Sequence, residues 1–374
     1  MLVYIIPTIY CLWGIYHYDY RQNSEGKIVC FYLLSVYLAV ISGLSYKVGG
    51  DSGFYMDLYT FVPTLESLKK SDYSDSSYQP LYFLLCVLCK SITPKIWLMH
   101  LIQSLIVCIV YFRFIRNHTR YLFTGAFMFM TCMYTYFCYE IYKESIAVSM
   151  MLIGYQYLPQ KKYLKYYIYA TLSIMFHFSG IIAFFIPFLR KLKFNKVLLI
   201  WIGVLLFVLT GFQTYVTYFI SSDMIIQKLD YYVLVATDKY NDNWYLMALI
   251  RNVLIPLFTA ILFKQLYKNV PNQWSYVLYV LLGIGTLQLA QIFERPINYV
   301  LPFVVLSLSE IMGGAYKKRA YKFLTTFFVC FIFWFGCRGW FYAREEVWRL
   351  MIPYESIFDE KNNREREKVI MQIH

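Results

Sequence analysis

Charge is scarce in this chain. Only 15% of its 374 residues are Asp, Glu, Lys or Arg, where soluble domains carry about 25%. Hydrophobic residues make up 59%, and the mean hydropathy is +0.48. Long polar stretches are equally scarce, being confined to 46–79, 221–244 and the tail from about 343. That excludes a folded soluble domain, because apolar runs long enough to cross a bilayer recur from end to end.

Further absences narrow the chemistry. The phosphate-cradling pattern GxxxxGK[ST] is missing, which argues against a nucleotide-driven enzyme. No His, Cys and carboxylate spacing fits a metal, so neither a metal nor a cofactor is expected. All nine cysteines lie in apolar segments. Cys86 and Cys89 form a CxxC without partner ligands, and small apolar packing residues are predicted rather than a disulfide or redox centre. Met1–Tyr16 has no basic region before it and no small-residue cleavage site after it, so it reads as a first membrane helix.

What is abundant is positive charge and aromatic rings. A net charge of +13 could mean nucleic acid. Here the basic residues fall in short clusters between apolar runs: Arg113/Arg116/Arg120, Lys161/Lys162/Lys165, Arg190/Lys191/Lys193/Lys196 and Lys317/Lys318/Arg319/Lys322. That is the pattern of cytoplasmic loops, and no nucleic-acid partner is expected. The 39 Tyr and 31 Phe suit interfacial belts.

Spans are predicted at about 2–16, 28–45, 96–112, 121–139, 140–158, 197–220, 246–263, 273–293, 297–313 and 323–341. The apolar piece 80–92 falls short of the ~20 residues needed to cross, so it reads as a short or re-entrant helix. The stretch 163–189 is basic at both ends, so it must enter and return. His177-Phe178-Ser179-Gly180 lies at its midpoint, where two short helices are predicted to meet. The expected fold is all-α: a polytopic transmembrane helical bundle of about 10–13 membrane helices, short ones included. Residues 1–342 read as a single transmembrane domain with 46–79 and 221–244 as extracytoplasmic loops. The polar tail 343–374 also reads as extracytoplasmic.

Ionisable residues in membrane segments are costly and mark function by default. Asp51 follows the glycine pair of Lys47-Val48-Gly49-Gly50-Asp51 and is either a helix cap or an acid–base group. Glu140, Lys143 and Glu144 sit where two spans meet. His177 is central to the paired short helices, Arg251 begins a span, and Glu294-Arg295-Pro296 separates two spans. The charge-derived threading puts all of them on the outer side. Arginine forks and a lysine point charge with acids and one imidazole suit a lipid-linked diphosphate at the membrane surface. Within such a site Arg295, Asp51 and His177 are the expected catalytic residues. Lys143, Arg251, Glu140, Glu144 and Glu294 are the expected substrate contacts.

The segments Lys47–Tyr59, Tyr78-Gln79-Pro80-Leu81-Tyr82, Tyr142–Ala147, His177–Gly180, Glu294–Tyr299 and Pro353–Phe358 follow one another in an order that resembles the EpsG family. These are Wzy-type polymerases of exopolysaccharide and O-antigen assembly. The resemblance implies a GT-C-like fold in the bacterial inner membrane. It also implies transfer of a growing glycan from undecaprenyl diphosphate onto the next lipid-linked repeat unit, with membrane lipid and a chain-length regulator as further partners. Lys143 stands where the resemblance implies Arg. Two other classes compete: a ligase or other lipid-linked glycosyltransferase, which needs the same outer cationic site, and a flippase, which calls for internal repeats that are not evident here.

Overall fold

Inside a bilayer each segment must satisfy its own backbone polar groups, so apolar runs of this length become helices. The computed structural model describes residues 2–69, 78–193, 246–267, 269–287, 290–339 and 349–358. The predicted span 197–220, the loop 221–244 and the tail beyond 358 lie outside the described residues. Among these residues every regular element is helical. Four helices are long and apolar enough to span: Trp97–His118, Leu246–Leu266, Phe293–Ala315 and Ala320–Cys337. The chain is therefore a polytopic helical membrane protein. Its contacts divide it into two units, residues 1–184 with 338–374, and residues 185–337.

The first unit starts with α1 (Leu2–Gly14), prolonged by a π-helical stretch Ile15–Tyr20, and α2 (Lys27–Gly43). Next come the short α3 (Ser52–Thr60) and α4 (Pro80–Ile92), then α5 (Trp97–His118). The following crossing is interrupted: α6 (Leu122–Phe129), a π-helical stretch Met130–Tyr134, and α7 (Thr135–Tyr139). It is followed by α8 (Tyr142–Tyr155) and α9 (Tyr163–Phe176), and by α10 (Ile182–Leu189), which begins in this unit and continues past its boundary.

Pairing fixes the directions. Phe31 meets Phe112 with ring centroids 4.6 Å apart. At the other end, a Cβ on Gly43 would come within 2.6 Å of Leu101 Cα. So α2 and α5 run antiparallel with their backbones in close approach, as small residues permit. Ser173 Oγ donates to Ala147 O at 2.8 Å, and Gly154 packs on Tyr166 and Tyr169, which makes α8 and α9 antiparallel too. Consequently the turns carrying Lys27, Arg116, Arg120, Lys161 and Lys162 share one end of this unit. The turns at 44–51, 140–142 and 177–181 share the opposite end.

Both short pieces behave as their lengths require. α4 has 13 residues, which gives about 20 Å of helix against a hydrocarbon core of about 30 Å. Near its start the Lys143 ammonium lies 5.6 Å from the Tyr78 ring centroid. Tyr82, in the first turn of α4, also donates to Met99 Sδ at 3.7 Å near the start of α5, and α4 ends at Ile92, shortly before α5 begins at Trp97, so both of its ends lie near the start of α5. At His177 the chain reverses. Gly180 packs on Ser173 and Ile174, and the Tyr166 hydroxyl donates to Ala183 O. The start of α10 therefore lies against α9.

The basic end is tied by Asp19, whose side chain is 0% exposed and sits 3.0 Å from Lys27 Nζ. Asp19 Oδ2 also accepts from Thr124 N at 2.7 Å and Thr124 Oγ1 at 2.9 Å. One carboxylate thereby joins α1, α2 and α6.

In the second unit, a π-helical stretch Leu249–Leu254 leads into α11 (Ile255–Leu266). Then follow α12 (Gln273–Thr286), α13 (Ala290–Ala315) and α14 (Ala320–Trp334). Here the structure corrects one expectation. Glu294-Arg295-Pro296 does not separate two helices; α13 runs through both Pro296 and Pro302. Proline's fixed φ is helical, and only one backbone bond is lost per ring, which neighbouring membrane helices and side chains can make good.

Removing one partner of a buried ion pair costs about 3–5 kcal/mol. Asp19→Ala is expected to lower the melting temperature in detergent sharply, and Asp19→Asn less. Thermal unfolding of the purified variants measures both.

Candidate active site

The end of the first unit opposite the basic turns collects most of its unusual side chains. The turn 46–51 is shaped by two left-handed residues, Lys47 (φ 50) and Gly49 (φ 93). A Cβ on Gly49 would stand 2.7 Å from Tyr139 O, so the turn is seated against the end of α7. Asp51 then opens α3, yet its side chain makes no capping hydrogen bond to that helix. The cap alternative is thereby weakened, since capping would need that bond.

Across from this turn, α7 and α8 meet at a kink. Glu140 N and Ile141 N both donate to Tyr136 O at 3.1 Å, which turns the chain. Glu140 is 8% exposed and Glu144 only 1%. Tyr142 stacks between Tyr55 (centroids 4.5 Å apart) and His100 (4.4 Å). Gly49 against Tyr139 O and the Tyr55–Tyr142 stack bring the turn and the kink face to face. His100 is held by Cys138 O at 2.8 Å from Nε2. Gln103 donates to Phe137 O at 2.9 Å and Ser145 Oγ at 2.7 Å. These bonds lock α5 to the kink.

Glu144 leads to His177 through one hydroxyl. Ser179 Oγ donates to Glu144 Oε1 at 3.4 Å and lies 2.6 Å from His177 Nδ1. Ser179 N donates to the same ring nitrogen at 3.3 Å, so in this arrangement Nδ1 is an acceptor. The sequence pattern explains the placement: the helix break at His177 leaves an extended residue (φ −157, ψ 132), and the following helical turn carries Ser179 back under the ring. In the other tautomer, with the proton on Nδ1, that proton goes to Ser179 Oγ in place of the backbone bond, and the hydroxyl's own hydrogen goes to Glu144. That is a short proton relay ending on a carboxylate.

So Asp51, Glu140, Lys143, Glu144 and His177 share one end of the first unit. Arg251, Glu294 and Arg295 belong to the second unit. There Arg251 sits in the π-helical stretch, where Nη2 donates to Glu294 Oε1 at 2.6 Å and Nε to Asn252 Oδ1 at 3.0 Å. Both side chains of the ion pair keep some exposure, 33% and 41%. Two bonds hold the guanidinium plane, and Nη1 lies outside both. Arg295 follows Glu294 in α13.

A family model described as the EpsG family matches residues 28–356. The chain belongs to the EpsG family. No curated protein and no solved structure matches it. Membership associates the chain with exopolysaccharide polymerisation in the broad sense. The match to the EpsG pattern runs from inside α2 to Ser356, so it takes in the turn, the kink, the His177 hairpin and part of the returning C-terminal segment.

Sequence reasoning passed over Ser179, Tyr142 and His100. Ser179 lay inside a quoted motif, but a hydroxyl carries no charge to flag it. Only the 2.6 Å contact reveals its place.

A side chain at Gly49 would force both a left-handed backbone and a clash with Tyr139. Gly49→Ala is expected to cost about 1–3 kcal/mol. A lower melting temperature in detergent than wild type checks this.

Proposed function

We propose that this EpsG-family chain is a membrane glycosyltransferase that polymerises lipid-linked oligosaccharide repeat units, built as a GT-C-like bundle in the bacterial inner membrane. In this reading the basic end faces the cytoplasm, by the positive-inside rule, and the Asp51 end faces out. The growing glycan moves from undecaprenyl diphosphate to the next lipid-linked unit, with a chain-length regulator as a further partner.

The observation that carries the reading is the Glu144–Ser179–His177 relay beside Asp51, Glu140 and Lys143. Glycosyl transfer from a lipid diphosphate needs a proton removed and a negative charge stabilised. An acceptor hydroxyl oxygen forms a bond to the anomeric carbon of the donor, and the bond from that carbon to the diphosphate oxygen breaks. In the tautomer with the neutral ring's proton on Nδ1, the hydroxyl proton passes to the free His177 Nε2. Nδ1–H then donates to Ser179 Oγ, and Glu144 balances the imidazolium through that hydroxyl. Asp51 is the alternative base. Lys143 offers a cation to the leaving diphosphate, and electrostatic stabilisation of that kind is often the largest catalytic contribution. Arg251 and Arg295 are proposed phosphate contacts on guanidinium chemistry, with Glu294 orienting Arg251.

A positioned base contributes about 10²–10⁴-fold. A deletion strain is expected to carry single repeat units in place of polymer, and His177→Ala is expected not to restore length at equal membrane abundance. Polymer of normal length left on the carrier lipid would indicate a ligase instead. Normal polymer with His177→Ala would remove His177 from the reaction. Gel profiles of the surface and lipid-linked glycan decide among these.

A further inference from the structure

Residues 349–358 return from the far end of the sequence and dock on the very turn that carries Asp51. Gly49 N donates to Leu350 O at 3.2 Å, Tyr46 N to Glu355 O at 2.9 Å, and Ile357 N to Leu44 O at 3.0 Å. Ser45 and Ser356 form an antiparallel bridge. Side chains secure the same register: the Tyr354 hydroxyl donates to Ile41 O at 2.8 Å, and Tyr4 donates to Met351 O at 3.0 Å. Leu350 and Met351 are buried, 3% and 5% exposed. The segment is a strap pinned along its length.

Arg349 stands at the head of this strap and is exposed. Its neighbour Leu350 accepts a hydrogen bond from Gly49 N and packs against Gly50. Asp51 is the next residue of the turn. Among the described side chains at this end of the first unit, Arg349 is the one arginine; the other cations there are lysines. Only the guanidinium fork matches two phosphate oxygens at once.

We infer that Arg349, delivered to the Asp51 turn by the C-terminal strap, is a substrate-binding residue for the diphosphate of the lipid carrier. This rests on the lipid-diphosphate reading above. The strap is bonded to residues 44, 46 and 49 of the chain leading to Asp51, so Arg349 is attached to a fixed backbone beside that turn. Ion pairing with protein carboxylates before substrate arrives is compatible with this role, since the diphosphate carries more charge.

The test is binding of undecaprenyl diphosphate, without glycan, to the full chain in detergent, followed by native mass spectrometry. Phosphatidylglycerol serves as the headgroup control. Loss of one bidentate charge-assisted contact is worth about tenfold or more. Arg349→Ala is expected to weaken undecaprenyl diphosphate by that factor, with Arg349→Lys in between and phosphatidylglycerol unaffected. Arg349→Gln, which keeps the stem, should match Arg349→Ala, so a folding defect in one variant does not decide the result. Wild-type affinity in both Arg349→Ala and Arg349→Gln overturns the inference and leaves the polymerase reading standing. Equal losses for both lipids assign Arg349 to bilayer headgroups and also overturn it. A wild-type chain that binds no undecaprenyl diphosphate overturns the inference together with the reading it rests on.

Discussion

A carboxylate that is 1% exposed inside an apolar bundle must be hydrogen-bonded or neutralised, and Ser179 is one of the donors that Glu144 meets. The contact constrains everything around it. Ser179 reaches Glu144 only because the chain reverses at His177. The reversal closes only because Gly180 can lie on the backbone of α9 at Ser173 and Ile174. Ser173 in turn spends its hydroxyl on Ala147 O, one turn below Glu144 in α8. Two antiparallel helices, a hairpin and a buried acid are thus one arrangement rather than four.

The same economy holds across the end of the first unit. The kink at Glu140–Ile141 is stabilised by paired bonds to Tyr136 O and by the stack of Tyr55, Tyr142 and His100. Gly49 lets the Asp51 turn approach that kink, and the C-terminal strap closes it from the other side. Rigid elements therefore position every acid and the imidazole, as preorganised chemistry requires. At the basic end Asp19 performs a purely structural task, since its oxygens meet Lys27 and Thr124.

Much of this was legible in the sequence, for identifiable reasons. Apolar length located the helices, and the shortfall of 80–92 marked α4 as a short one. Lysines at both ends of 163–189 forced the hairpin, with His177 at its tip. Other features have no local signal. Pro296 looks like a helix break, yet its ring costs one hydrogen bond that a membrane bundle tolerates, so α13 continues. The π-helical stretches, including the one placing Arg251, depend on packing rather than on residue type. The Arg251–Glu294 pair joins residues 43 positions apart. The strap joins backbone groups from opposite ends of the chain, which periodicity cannot reveal. Ser179 was visible as a letter and silent as chemistry.

In the proposed mechanism the buried carboxylate supports proton transfer at His177 rather than merely filling the bundle. Turnover of lipid-linked repeat units by the purified chain in proteoliposomes tests it most directly. Glu144→Gln keeps the size of the side chain and an acceptor for Ser179 while removing the charge. The account predicts a kcat lower by about 10²-fold with KM little changed. A variant that polymerises at the wild-type rate would contradict it.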